Sequence, residues 1–240
     1  MIKEALEYLF SLKEPEFVKV EDRPYAVKNL TPILDPLPKT LEVHTLAAIE
    51  DYIKAKIDDP IVDMGAQPFL HILNHKEVFF YSETLHNFSQ RRCYLHAQFP
   101  DCRFRFGVFM DVESFIIGVQ SHFVQDDNTA LIYKSAGNIK ESAVKTVEDD
   151  GVSQRITASN GVARVAEILL PSPIELRPYR TFIEVDQPKS KFIFRMRSGQ
   201  GDNPPTCALF EADGGTWELE AIKKIKKWLE EECVDVTILA

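Results

Sequence analysis

The sequence predicts an α+β fold, a mostly antiparallel β-sheet core with about four helices and an extended N-terminal arm. Apolar residues at helical spacing are confined to a few separate segments, and β-branched and aromatic runs broken by turn residues fill the middle of the chain. Prolines crowd the region before residue 39. With 240 residues, 45% of them hydrophobic, the chain can bury a substantial core. We expect an N-terminal helix and arm over residues 1–44 and a single α+β domain over residues 45–240.

The first part combines one short helix with extended chain. Leu6, Leu9 and Phe10 share one face of a helix that ends before Pro15. Prolines at positions 24, 32, 36 and 38 remove backbone donors and disfavour helix before each of them, so residues 23–38 should be extended. Thr45 then caps a helix that runs to about Asp58.

Short strands and one capped helix are predicted next. Residues 69–73 and 78–81 form a hairpin around a four-residue turn, and residues 92–99 form another strand. Strict alternation of apolar and basic residues over residues 102–106 predicts a strand with Arg103 and Arg105 on one face. Asp111 caps a helix that reaches about Val124.

The second half of the chain is predicted to be β-rich and to end in a long helix. Residues 130–133 are interpreted as a helix that ends at Gly137-Asn138. Turn residues divide residues 139–197 into four or five strands. A mobile loop over residues 198–205 precedes a short strand at residues 208–210, the clearest helix at residues 216–232 and a terminal strand at residues 234–239.

Several classes of protein are excluded or disfavoured by missing signals. The chain has no signal-peptide pattern and no long apolar span, so we expect a cytoplasmic protein without membrane contact. Its four cysteines lack a C-x-x-C pair and are predicted to be free thiols. Neither a phosphate-binding glycine motif nor ligand spacing for a structural metal is present, so no cofactor is predicted.

One pair of carboxylates has a weak resemblance to a metal-dependent nuclease site. Glu184 and Asp186 would share one face of a strand, and Lys189 and Lys191 follow closely. Pro188 interrupts that strand, and the upstream acidic partner is unassigned. A salt-bridged sheet face is therefore the favoured interpretation, and the two carboxylates are kept as weak metal-ligand candidates.

The arginines are distributed more informatively than any motif. The formal charge is -9, yet residues 91–197 hold ten of the eleven arginines and carry 15 basic and 13 acidic residues, which leaves 13 basic and 24 acidic residues elsewhere. The middle is therefore +2 and the remainder -11. Such a face could bind an anionic ligand or nucleic acid, or pair with acidic helices of the same chain or of a neighbouring subunit. The candidate ligand-binding residues are Arg103, Arg105, Arg177, Arg180, Arg195 and Arg197.

Several phrases of the sequence resemble the YfdQ-like family of phage and prophage proteins, a domain of unknown function. These phrases are RFG at residues 105–107, MDVESFII at 110–117, DDGVSQ at 149–154, LRPYRTFIEVDQP at 176–188 and ALFEADGG at 208–215. The resemblance extends from about Thr45 to Leu229 and implies a phage or prophage source and a product of the host cytoplasm. No catalytic residue is carried over from it.

The predicted function is binding, and the sequence favours a non-enzymatic role. The leading hypothesis is a phage accessory protein that self-assembles, because an extended arm can reach a neighbouring subunit and acidic helices complement a mildly basic sheet. The alternatives are a nucleic-acid or nucleotide binder that uses the arginine face and a metal-dependent nuclease at Glu184 and Asp186.

Overall fold

The computed structural model describes residues 2–11, 17–20, 23–26, 38–58, 67–84, 91–141, 143–149, 154–160, 164–169, 172–197 and 204–240. Its helices are α1 (Ile2–Ser11), α2 (Ala47–Lys54), α3 (Val112–His122), α4 (Asp127–Glu141) and α5 (Thr216–Glu232). Its strands are β1 (Phe17–Val20), β2 (Arg23–Ala26), β3 (Leu41–Val43), β4 (Phe69–Asn74), β5 (Glu77–Tyr81), β6 (Cys93–Gln98), β7 (Met110–Asp111), β8 (Ala143–Asp149), β9 (Gln154–Asn160), β10 (Arg164–Leu169), β11 (Ile174–Leu176), β12 (Ser190–Arg197), β13 (Thr206–Glu211) and β14 (Thr237–Leu239).

The chain divides into two compact units, Met1–Pro38 and Lys39–Ala240. In the first unit, β1 and β2 form an antiparallel hairpin, and α1 precedes them. The predicted extended arm is represented there by β2 alone, because residues 27–37 lie outside the described residues.

The second unit has the predicted α+β architecture, built on two main sheets. Their strand orders are β14-β4-β5-β6-β3 and β11-β12-β13-β7. All pairs in the four-stranded sheet are antiparallel, whereas β14 and β3 join the edges of the five-stranded sheet in parallel. A third sheet, in the order β10-β9-β8, is antiparallel throughout.

Each main sheet has its own hydrophobic core. Residues of α2 and α5, including Ile49 and Ile225, pack with Leu70 and Phe80 of the five-stranded sheet. Residues of α3 and α4 pack with the buried face of the four-stranded sheet, where the phenylalanines of β12 alternate with partly or fully exposed residues. Phe182 is fully buried in the first core although it follows Arg180 in the loop over residues 177–189. That loop therefore connects the edge of the four-stranded sheet to the core of the five-stranded sheet.

Most predicted elements are present. The helix predicted from Thr45 to about Asp58 is α2, which ends at Lys54, and three further elements differ in extent or kind. The helix predicted for residues 130–133 is part of the longer α4, and the prediction that Gly137-Asn138 ends it is wrong because α4 continues to Glu141. Residues 102–106 form no strand, although Phe104 is buried and the flanking arginines are exposed. Gly107 follows with φ of 73° and donates its N–H to the carbonyl of Leu209 (2.8 Å), so the chain turns there instead of pairing along β13.

The third difference concerns the carboxylates proposed as metal ligands. Residues 181–189, which contain Glu184 and Asp186, form turns and loop, so the prediction that the two carboxylates share a strand face is wrong. The side chain of Gln187 satisfies the backbone of this segment in place of a neighbouring strand.

A mobile loop is predicted for residues 198–205, and residues 198–203 of it lie outside the described residues. Among the described helices, none combines the length and the apolar character that crossing a membrane requires.

Candidate functional site

The six candidate arginines do not form one continuous face. Arg177 lies on the loop that follows β11, where its Nη2 is 3.3 Å from Oδ2 of Asp126. Arg180 is 4% exposed and pairs with Glu211. Arg195 is partly buried on β12 and donates from Nη1 to the carbonyl of Phe194 (3.3 Å). These three arginines therefore have partners within the chain.

Of the other three arginines, Arg197 lies beside, and Arg103 and Arg105 line, one groove, which we call the arginine groove. It has a volume of about 350 Å³ and is lined by Arg103, Phe104, Arg105, Val108, Phe109, Met110, Asp111, Ser114, Gly118 and His122. Arg103 and Arg105 are exposed, and alternation in this stretch turns Phe104 inward between them. Arg197, at the end of β12, lies beside the groove, since its Cζ is 3.8 Å from the ring centroid of Phe109, which lines it.

One face of α3 also lines the arginine groove, from its N-cap Asp111 to its last residue, His122. Asp111 caps this helix by accepting a hydrogen bond from the backbone N–H of Ser114 (2.9 Å). The same hydrogen bonds lower the pKa of Asp111, so this carboxylate is ionised at neutral pH. His122 donates from Nδ1 to the carbonyl of Gly118 (2.9 Å), which leaves Nε2 as its second polar atom.

The charge of the arginine groove is not neutralised within the described part of the chain. Arg103, Arg105 and Arg197 have no carboxylate partner there, whereas Arg92 pairs with Asp58, Arg177 with Asp126 and Arg180 with Glu211. Asp111 is the one carboxylate that lines the groove. Two guanidinium groups in the lining and a third beside it, against one carboxylate, leave a positive site on a chain whose formal charge is -9.

A second concave region surrounds Arg180, and we call it the Arg180 cavity. Its volume is about 460 Å³, and it is lined by His75, Lys76, Asp101, Cys102, Phe104, Phe106, Arg180, Glu211, Trp217 and Glu218. The guanidinium of Arg180 lies against the indole of Trp217, with 3.7 Å between Cζ and the ring centroid. Burial lowers the pKa of Arg180, and Glu211 and Asp213 oppose that shift. Phe104 lines both this cavity and the arginine groove.

Glu184 has a structural role that its sequence position does not reveal. Its Oε1 accepts hydrogen bonds from the backbone N–H groups of Leu46 (2.8 Å) and Ala47 (3.3 Å), at the start of α2. Asp186 is exposed. No group of three or more His, Cys, Asp or Glu side chains suited to a metal ion occurs among the described residues. Glu184 therefore caps a helix, and the structure does not bring a metal-ligand set to it.

The buried surroundings of the cysteines disfavour the reactive thiolate form. Burial raises the pKa of the Cys93 and Cys102 thiols, and it raises the pKa of Cys207 to about 12. A nucleophilic cysteine requires the opposite shift, because the thiolate is the reactive form. Cys102 nevertheless lines the Arg180 cavity and contributes to its shape.

Some residues of these two sites were not found from the sequence. Trp217 and His75 have no motif of their own, because their roles depend on contacts with residues distant along the chain. One signal was present for Trp217, since the Asp213-Gly214-Gly215 turn places it in the first turn of α5. Gly214 and Gly215 have φ of 64° and 81°, which explains why glycine occupies both positions.

Comparisons with protein-family models, with curated proteins and with solved structures find no match to this chain. The resemblance to the YfdQ-like family therefore stays a prediction from the sequence.

Proposed function

We propose that this chain is a nucleic-acid-binding protein that acts without catalysis and holds a short single-stranded segment in the arginine groove. Three arginines without carboxylate partners in the described part of the chain carry this proposal. Guanidinium groups bind phosphate with two parallel hydrogen bonds, so they suit a ligand with a repeated phosphate backbone. A phage or prophage product that acts in the host cytoplasm would meet such ligands.

The arginine groove is open enough for a strand to continue past it. Arg103, Arg105 and Val108 are all exposed at this groove. Partly exposed Phe109 lies beside them with Arg197 over its ring. Basic and aromatic side chains in one groove are typical of proteins that bind single strands.

The acidity of the rest of the chain favours a short contact. Segments outside residues 91–197 carry 13 basic and 24 acidic residues, so they repel a long polyanion. A long duplex would bring many phosphates near those segments. We therefore expect single strands to bind more tightly than duplexes of equal length.

The experiment is fluorescence anisotropy of labelled single-stranded DNA and RNA with the full chain at several salt concentrations. The double variant Arg103→Ala/Arg105→Ala should weaken binding about tenfold or more, because each charge-assisted contact that is lost is a strong one. It should also make the slope of log binding constant against log salt concentration less steep by about 1.4, since each contact with a single-strand phosphate contributes about 0.7 to that slope.

The matched control is Lys226→Ala/Lys227→Ala, which removes two positive charges from exposed positions of α5. It lowers the net charge equally but leaves the arginine groove intact, so binding should change little. Equal weakening by both double variants would show that only overall charge matters. That result, or binding by the unaltered chain that does not respond to salt, would contradict the proposal.

Self-assembly, predicted from the sequence, stays a separate proposal. It rests on the predicted arm, most of which lies outside the described residues. Light scattering at micromolar concentration tests it directly: a mass above the 27.4 kDa of one chain supports assembly, and a mass equal to that of one chain removes it.

A further inference from the structure

The Arg180 cavity shares Phe104 with the arginine groove but has a different chemistry. Its walls come from the β4–β5 turn, the segment over residues 101–106, the loop over residues 177–189 and the first turn of α5. Its volume of about 460 Å³ lies within the range of pockets that hold small organic ligands. Three aromatic side chains line it, those of Phe104, Phe106 and Trp217.

Arg180 lines this cavity and carries a buried donor that has no partner among the described residues. Its side chain is 4% exposed, and its terminal nitrogens donate to Glu211 and to Oγ of Ser190. The N–H at Nε is also buried, and it has no hydrogen-bond partner among the described residues. A buried donor without a partner is costly, so this nitrogen indicates an acceptor that the chain itself does not supply.

His75 brings a second unpaired polar atom against the same indole. Its ring centroid lies 4.6 Å from that of Trp217, and its Nδ1 is buried without a partner in the described part of the chain. The hydroxyl of Thr181 donates to the carbonyl of His75 (2.5 Å), which fixes the turn that carries the ring. Burial lowers the pKa of His75, so the ring is neutral at pH 7.

The charged groups around the cavity disfavour an anion. Lys76 pairs with Asp101, and Arg180 pairs with Glu211. Glu218 lines the cavity as a third carboxylate, so two basic groups face three acidic ones. A phosphate or carboxylate would therefore be repelled, whereas a neutral ligand with both hydrogen-bond donors and acceptors would not.

We propose that the Arg180 cavity binds a neutral, planar heterocycle with an amide-type edge, the chemistry of a nucleobase. Nε of Arg180 donates to a carbonyl or ring nitrogen of the ligand, and His75 makes the neighbouring hydrogen bond. The aromatic walls remove the planar surface of the ligand from water. This site does not depend on the function proposed for the arginine groove, because it needs no phosphate.

The test is a titration of the full chain with adenosine, guanosine, cytidine and uridine, followed by a proton–nitrogen correlation spectrum. The chain has two tryptophans, Trp217 and Trp228, so two indole signals serve as probe and internal reference. We expect at least one nucleoside to shift the Trp217 signal saturably while the Trp228 signal, from the core of the five-stranded sheet, stays in place. The corresponding monophosphate should bind no more tightly than the nucleoside.

Two variants test the assignment to this cavity. His75→Leu should weaken the nucleoside at least tenfold, because it removes a hydrogen bond and keeps a similar volume. Cys102→Met, which places a larger side chain at the cavity wall, should weaken it as well and replaces His75→Leu if that variant fails to fold. The groove variant Arg103→Ala/Arg105→Ala should leave nucleoside binding unchanged, so the two proposals can fail separately. If no nucleoside shifts the Trp217 signal, or if the shift survives both cavity variants, the cavity holds only water and the proposal is wrong.

Discussion

Gln187 organises the loop that connects the two main sheets. Its side chain is buried, and Oε1 accepts hydrogen bonds from the backbone N–H groups of Arg180 (3.0 Å) and Thr181 (3.3 Å). Its Nε2 lies within hydrogen-bond distance of the carbonyls of Thr181, Phe182 and Val185. One amide side chain thus satisfies backbone groups that a strand partner would otherwise satisfy. The position of Arg180 in its cavity depends on this arrangement.

We expect Gln187→Ala to lower the free energy of unfolding by about 3 kcal/mol, since each buried polar group left without a partner costs about 1–3 kcal/mol. Urea denaturation followed by circular dichroism measures the change. Gln120→Ala is the matched control, because that glutamine is exposed on α3, and it should change stability by less than about 0.5 kcal/mol. Equal effects of the two substitutions would contradict the role assigned to Gln187.

The arginines show how far residue-level prediction reaches. Alternation along the sequence correctly places Arg195 and Arg197 on the face of β12 opposite its buried phenylalanines. It also predicts the outward direction of Arg103 and Arg105, although no strand forms there. The burial of Arg180 could not be predicted in this way, because it depends on Trp217 and Glu211, which reach it only after the sheets and α5 have packed.

At the scale of elements, the local sequence indicates where helices lie, but it does not indicate a helix cap that comes from a residue distant along the chain. Asp111 caps α3 as predicted, because the cap and the N–H that it receives are three residues apart. At α2, Thr45 accepts from the N–H of Ala48 (3.3 Å), but the first free N–H groups bond to Glu184. The sequence offers no local sign of that contact. From its sequence position alone, the same carboxylate is only a weak metal-ligand candidate.

The two glycines inside helices have opposite surroundings, and this gives a prediction for each. A Cβ added to Gly118 would lie 3.1 Å from Cε2 of Phe104, whose ring is held by Phe115 and Phe123, whereas one added to Gly137 would meet nothing within 4 Å. Gly137→Ala should stabilise the protein by about 0.5–1 kcal/mol through helix propensity. Gly118→Ala should destabilise it by about 1 kcal/mol, because overpacking exceeds that gain.

Thermal and urea denaturation of the two alanine variants measure this difference. Each variant is the control for the other, since both make the same chemical change within a helix. Stabilisation by Gly118→Ala would show that the ring of Phe104 can move, and it would also imply that the wall of the arginine groove is deformable.

At the scale of the whole second unit, burial shifts ionisable groups of both cores in the same direction. Burial raises the pKa of Cys207 to about 12 in the core of the four-stranded sheet and that of Cys233 to about 11 in the core of the five-stranded sheet. It also raises the pKa of Tyr52 beside Asp58. These groups are neutral in the folded protein at a pH at which the unfolded chain would have lost their protons.

The fold class was predictable because it depends on periodicity, and the arrangement of the two cores was not. Runs of alternating residues and capped helices indicate sheets and helices, but no local pattern indicates that Phe182 enters the other core or that β14 pairs with β4 in parallel. Such contacts join residues that are far apart along the chain, and their energies depend on the final packing. The same limit explains why the Arg180 cavity was not found from the sequence.

The raised thiol pKa values predict that stability falls as the pH rises from about 9 to about 12. A folded-state pKa above the unfolded value of 9.0 means that unfolding releases a proton in this range, so the stabilisation is complete below pH 9 and is lost as the pH approaches the folded-state pKa. Each thiol should contribute up to about 1.4 kcal/mol per pH unit. The free energy of unfolding, measured by urea denaturation at several pH values in this range, should therefore fall less steeply with pH for Cys207→Ala/Cys233→Ala than for the unaltered chain. The cavities left by the substitutions lower stability at every pH, so they do not change this dependence on pH. An identical dependence on pH in both proteins would contradict the prediction.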